Sequence, residues 1–101
     1  MDEIWGNTGI KMIVVQEICL LAKKYNVEKV VLFGSRARGD YRRVSDIDLG
    51  VYEGDFCRFA LDVDEETSTL LKYDIVDLDG TVQEELRDSI EREGIVLYEK
   101  V

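Results

Sequence analysis

The run Asp46-Ile47-Asp48-Leu49-Gly50-Val51-Tyr52 alternates polar or small residues with aliphatic ones, and it constrains the fold more than any other stretch of the chain. Successive side chains of a strand point to opposite faces, so Ile47, Leu49 and Val51 share one side while Asp46 and Asp48 share the other. The segment reads as a strand with a core face and a functional face. Moving either aspartate by one position would turn it into the core.

The other elements follow from periodicity. Ile10, Val14, Ile18, Leu21, Ala22 and Tyr25 recur at steps of three and four, which predicts a helix from about Ile10 to Tyr25. The nine residues before it, with two glycines, are expected to fray. Lys29-Val30-Val31-Leu32-Phe33 reads as a buried strand ending at Gly34, after which Ser35 opens a short helical turn. A second amphipathic helix carries Phe56, Phe59, Ala60, Val63, Thr67 and Leu70, with Asp62, Asp64, Glu65 and Glu66 on its wet side. Tyr73 to Asp79 forms a third strand, and Asp77 and Asp79 lead into a turn at Gly80. Thr81 followed by Glu84 is a capping-box signal for a helix carrying Val82, Leu86 and Ile90, which Gly94 ends. Ile95-Val96-Leu97-Tyr98 is the last edge strand. The expected fold is α/β in the α+β sense: one domain over residues 1–101, a small mixed β-sheet packed with helices, too short for a separate substrate domain.

Charge narrows the function. The formal net charge is −9, from 13 basic and 22 acidic residues, so direct nucleic-acid binding is not expected. Yet Arg36, Arg38, Arg42 and Arg43 fall within eight positions, immediately ahead of the aspartate pair. Arg42 and Arg43 read equally well as a solvated loop. The chain has no histidine, and Cys19 and Cys57 lack a Cys-x-x-Cys spacing, so zinc sites of the common kinds and the usual Ser-His or Cys-His nucleophiles are excluded. Both cysteines read as small buried hydrophobes. Any metal must take oxygen ligands, which indicates magnesium or manganese. No apolar run approaches the roughly 20 residues that span a bilayer, and the start Met1-Asp2-Glu3 is acidic, so a cytoplasmic setting without membrane contact is expected. Trp5, the only tryptophan, fits either an anchor on the domain or an interface.

Moving a nucleotidyl group requires a cradle for a triphosphate, positive charge against the developing anion and an acceptor for the attacking hydroxyl's proton. Gly34 allows close backbone approach, Ser35 adds a hydroxyl, and Arg36 and Arg38 in the same turn can add charge-assisted bonds. Asp46 and Asp48, on one strand face, can share hard cations. A third carboxylate should come from a neighbouring strand. In Tyr73–Asp79, Asp74 lies on one face and Asp77 with Asp79 on the other, and parity alone leaves the choice open. A calcium loop counted from Asp46 fails, because its sixth and twelfth positions are Val51 and Cys57.

Phe33-Gly34-Ser35-Arg36-Ala37-Arg38-Gly39 followed by Ser45-Asp46-Ile47-Asp48-Leu49 resembles the signature of the minimal nucleotidyltransferases of the DNA polymerase beta superfamily: Gly-Ser, ten residues, Asp-x-Asp. The likeness extends to the leading helix, the acidic helix and the closing Arg92-Glu93-Gly94-Ile95-Val96-Leu97-Tyr98. It implies a palm-like fold, with Gly34 and Ser35 as the phosphate-holding pair, Asp46 and Asp48 as metal ligands, and Asp74 as the third catalytic and metal-binding carboxylate. It also implies ATP and Mg2+ as substrate and cofactor. Small members of this family commonly act as antitoxins that attach AMP to a tyrosine of a HEPN-domain ribonuclease toxin. The alternatives are a non-catalytic module that masks its partner and nucleotidyl transfer to a small-molecule hydroxyl.

Overall fold

The computed structural model describes residues 3–101. In chain order it contains α1 (Met12–Lys24), β1 (Lys29–Phe33), α2 (Ser35–Arg38), β2 (Ile47–Tyr52), α3 (Phe56–Glu66), β3 (Tyr73–Asp77), α4 (Glu84–Glu93) and β4 (Ile95–Glu99). The strands form one sheet in the order β3-β2-β1-β4, with β1 antiparallel to both β2 and β4. β2 and β3 run parallel, and α3 supplies the crossover that a parallel pair requires. The mixed α/β architecture is the one expected. Among the described residues no helix is long and apolar enough to cross a membrane.

The aliphatic parity of the strands sets the layers. Val30 and Leu32 of β1 and Ile47, Leu49 and Val51 of β2 are wholly buried against Val14, Ile18 and Ala22 of α1 and Phe59 and Val63 of α3. The other face carries a smaller cluster in which Val31, Leu78 and Ile90 pack with Phe33, Tyr52, Val76, Val82 and Leu86, so α4 covers part of that face. Gly50 makes this possible, because a Cβ there would sit 2.6 Å from the Leu78 side chain. On that face Asp48 stays half-buried and Asp74 exposed.

Several local expectations change. The segment before α1 is ordered through residues 3–11: Ile4 bridges Lys11, Trp5 N–H donates to the Ile10 carbonyl at 2.8 Å, and Met12 N–H to that of Glu3 at 2.7 Å. Buried Thr8 closes the turn, its hydroxyl donating to the Trp5 carbonyl and accepting from Ile10 N–H. Trp5 packs on the main core, as a domain anchor does. Met1 and Asp2, the rest of that stretch, lie outside the described residues.

Helix α3 stops at Glu66, and Leu70 is fully exposed, because Thr67 turns extended and Glu17 of α1 takes both the Ser68 N–H and hydroxyl at 2.7 Å. β3 ends at Asp77, whose carboxylate and carbonyl accept from the amides of Asp79 and Gly80. α4 begins after Gln83 with no side-chain cap, so Thr81 forms no capping box; Glu84 and Glu85 instead place negative charge at the positive end of the helix dipole. Cys57 is exposed, while half-buried Cys19 donates to the Leu97 carbonyl.

These boundaries predict two opposite outcomes in urea denaturation. Phe59→Ala should lower stability by about 3–5 kcal/mol, the cost of a cavity under a fully buried aromatic. Leu70→Ala should change it by less than about 0.5 kcal/mol, whereas a helix running through Leu70 with its apolar face inward would make that substitution costly.

Candidate active site

The β2–β3 register brings the carboxylates together. Asp48 is the direct partner of Asp74 in the parallel pair, and neighbouring strands lie about 4.8 Å apart, so the two side chains project side by side from the face opposite the main core. Asp46, one residue before β2, has the same parity. Asp77 pairs with Val51, whose side chain is buried in the main core, so its parity puts it on the other face. Pairing thus separates two acids that sequence parity alone could not rank. Asp46 and Asp74 are exposed and Asp48 is half-buried, making a site open to solvent on one side.

Gly34 ends β1 opposite this pair. Its φ of +76° disfavours other residues, and a Cβ there would collide with the Asp48 carboxylate. Glycine is required because the Asp48 side chain lies against its bare Cα. Ser35 opens α2 directly beyond, so the Gly-Ser turn and the aspartates are neighbours in space despite ten intervening residues.

Burial, then the charges of Asp74 and Asp46, push the Asp48 carboxyl up to about 6, against smaller opposing pulls from Arg38 and Arg36. Among the described residues no three acidic groups converge into a ready-made metal cage. The donor set is nevertheless that of a hard cation: carboxylate oxygens alone. An open pair or trio of carboxylates suits Mg2+, which keeps several waters and shares its shell with substrate phosphates.

The two arginines expected at the phosphates are placed differently. Arg36 is 2% exposed, and its guanidinium is directed inward, donating to the carbonyls of Thr8 at 2.9 Å, Ser45 at 3.0 Å and Arg43 at 3.4 Å. It also stacks on Tyr41, 4.7 Å from the ring centroid. Desolvation lowers its pKa, opposed by Tyr41 and Asp48. Arg38 is about half exposed and pairs with Asp40 at 3.3 Å and Glu93 at 3.4 Å, the second contact tying α2 to the end of α4. Thr8, Tyr41 and Ser45 shape the surroundings of the site, and nothing in their spacing identified them. The Thr8 contact joins residues 28 apart through a backbone carbonyl, which carries no side-chain signature.

Residues 16–101 match the family described as polymerase beta, nucleotidyltransferase. The chain is 47% identical over 58 residues to a Methanocaldococcus jannaschii protein named for candidate protein adenylyltransferase activity; the match covers 55% of this chain and only 56% of that protein. A structure described as a minimal nucleotidyltransferase superposes with a TM-score of 0.64 at 29% identity, over 80% of this chain and 86% of its own. A crystal structure of a toxin-antitoxin with AMP-PNP superposes at 0.69 with 23% identity, over 85% of this chain and 73% of its own, a likeness of fold.

The raised Asp48 pKa predicts a pH dependence in the absence of divalent cations. A carboxyl that ionises near 6 in the folded chain and near 4 when unfolded favours the native state below about pH 4, and the advantage is lost as pH rises through 6. Asp48→Asn should therefore raise the melting temperature in EDTA at pH 7.5. Screening of the half-exposed group limits the gain to about 1–2 kcal/mol, and the variant should lie closer to the parent at pH 4.5. A lower melting temperature at pH 7.5 contradicts the electrostatic account.

Proposed function

The chain belongs to the polymerase beta nucleotidyltransferase family, and from that premise we propose that it is a magnesium-dependent adenylyltransferase, an antitoxin that moves AMP from ATP to a tyrosine hydroxyl of a HEPN-type toxin. The observation that carries the reading is the pairing of Asp48 with Asp74 across β2 and β3, with Asp46 on the same face and Gly34, which Ser35 follows, against Asp48. The nucleotide and partner follow the candidate adenylyltransferase relative and the fold neighbour described as a toxin-antitoxin with AMP-PNP.

Asp46, Asp48 and Asp74 are the residues that would hold Mg2+, which would supply positive charge against the triphosphate. Gly34 and Ser35 take the phosphates. The ion pairs of Arg38 are solvent-screened surface pairs, so its guanidinium can exchange them for a phosphate oxygen. Asp74 accepts the proton of the tyrosine hydroxyl as its oxygen bonds to the α-phosphorus. The bond from that phosphorus to the bridging oxygen breaks, and pyrophosphate leaves with the electron pair.

Incubation with Mg2+, α-labelled ATP and a HEPN protein encoded beside this chain should give a tyrosine peptide carrying AMP, located by mass spectrometry. Asp48→Asn should lower the labelling by about a hundredfold or more while leaving the complex intact. Full neutralisation of the toxin by that variant, with no modified tyrosine in either reaction, would instead mean that inhibition comes from covering the toxin's active site.

A further inference from the structure

Arg36 is built into the molecule in a way that the chemistry above does not use. Its planar fork donates to three carbonyls on two stretches of chain: Thr8 in the turn before α1, and Arg43 and Ser45 in the loop between α2 and β2. The next residue is Asp46. Tyr41, from the middle of the same loop, lies between the Arg36 guanidinium and Gly9, where a Cβ would sit 2.6–2.7 Å from the tyrosine ring and hydroxyl. The loop's far end is fastened again by Ser45, whose hydroxyl accepts from Arg42 N–H at 2.8 Å. One buried cation therefore links the Gly-Ser turn, the strand that presents Asp46 and Asp48, and a segment outside the 16–101 family match.

We propose that Arg36 is a positioning residue through which the N-terminal turn, residues 3–11, sets the geometry of the nucleotide site. A buried guanidinium needs its hydrogen bonds satisfied, and carbonyls from two segments, the N-terminal turn and the loop before β2, satisfy it only while those segments hold their places relative to α2. The distance between the Gly34-Ser35 turn and the Asp46 end of β2 is thereby fixed from behind, by contacts that never touch the substrate. A guanidinium can serve three diverging acceptors with its flat array of donors; an ammonium group cannot. Arg36→Lys therefore separates this role from direct phosphate binding, where a lysine preserves much of the attraction as a point charge.

The N-terminal half of the proposal has an internal control. Gly6 and Gly9 stand in the same turn with φ of +53° and +71°, so alanine strains the backbone at both, yet Gly6 faces open space and Gly9 faces Tyr41. Gly9→Ala pushes on the Tyr41–Arg36 stack and Gly6→Ala does not.

The effect on nucleotide rests on the adenylyltransferase reading, so two measurements are made on the full chain. Amide hydrogen exchange without ligand should show faster exchange over residues 40–46 in Arg36→Lys and Gly9→Ala but not in Gly6→Ala. Calorimetric titration with Mg2+ and ATP at 15 °C, on variants shown by circular dichroism to be folded, should give a Kd raised about tenfold in Arg36→Lys and severalfold in Gly9→Ala. Gly6→Ala should stay within about twofold of the parent. Tyr41→Leu, which removes the ring from the stack, should behave like Gly9→Ala and carries the test if Arg36→Lys does not fold. Parent-like exchange in the 40–46 loop, or equal effects of the two glycine substitutions, overturns the brace. A parent that shows the exchange pattern but does not bind Mg2+ and ATP overturns the adenylyltransferase reading and leaves the mechanical link standing.

Discussion

Strand β2 is held by burial on one side and strained by charge on the other, and the rest of the structure is arranged around that asymmetry. Ile47, Leu49 and Val51 are wholly buried, while the opposite side of the same strand carries Asp48 beside Asp74 and near Asp46. Three carboxylates on a shared patch repel one another, and the nearby Arg38 and Arg36 offset this only in part. The aliphatic face does so at a distance: each fully buried side chain contributes about 1.5–3 kcal/mol toward fixing β2 against α1 and α3, enough to hold acids in an arrangement they disfavour. A cation and a triphosphate would find the repulsion already established by the packing.

The same division explains the placing of α4. Its apolar residues, with Leu78, pack on the second face against Val31, Phe33, Tyr52 and Val76, and the Gly50 notch lets Leu78 settle there. Asp48 and Asp74 on that face keep access to solvent, the first half-buried and the second exposed. Arg38 spans the boundary by pairing with Glu93 at the end of α4.

Arg36 shows how little residue type says about role. Two arginines two positions apart in a four-residue helix end in opposite environments: Arg38 in solvent among carboxylates, Arg36 enclosed by backbone carbonyls and a tyrosine ring. A helical step of two residues turns the side chain by about 200°, so one faces outward and the other toward the turn before α1. The expectation that both would meet a phosphate treated the arginine-rich run as a single charge, whereas its members divide between a surface and an interior.

Local pattern alone determined the strand and helix types, the split faces of β2, the neighbourhood of Gly34-Ser35 and the aspartates as a motif, and the mixed α/β class, because each depends on periodicity or spacing within a few residues. Tertiary structure decided the rest. That Asp74, and not Asp77, stands beside Asp48 follows from the parallel register of β2 and β3, a pairing between segments some 26 residues apart. The end of α3 before Leu70 depends on Glu17 capturing Ser68 from another helix, and the order of residues 3–11 on backbone bonds and a buried threonine that no periodicity announces. The burial of Arg36 depends on carbonyl groups, which every residue possesses and which a sequence therefore cannot single out; only the folded chain shows which of them meet.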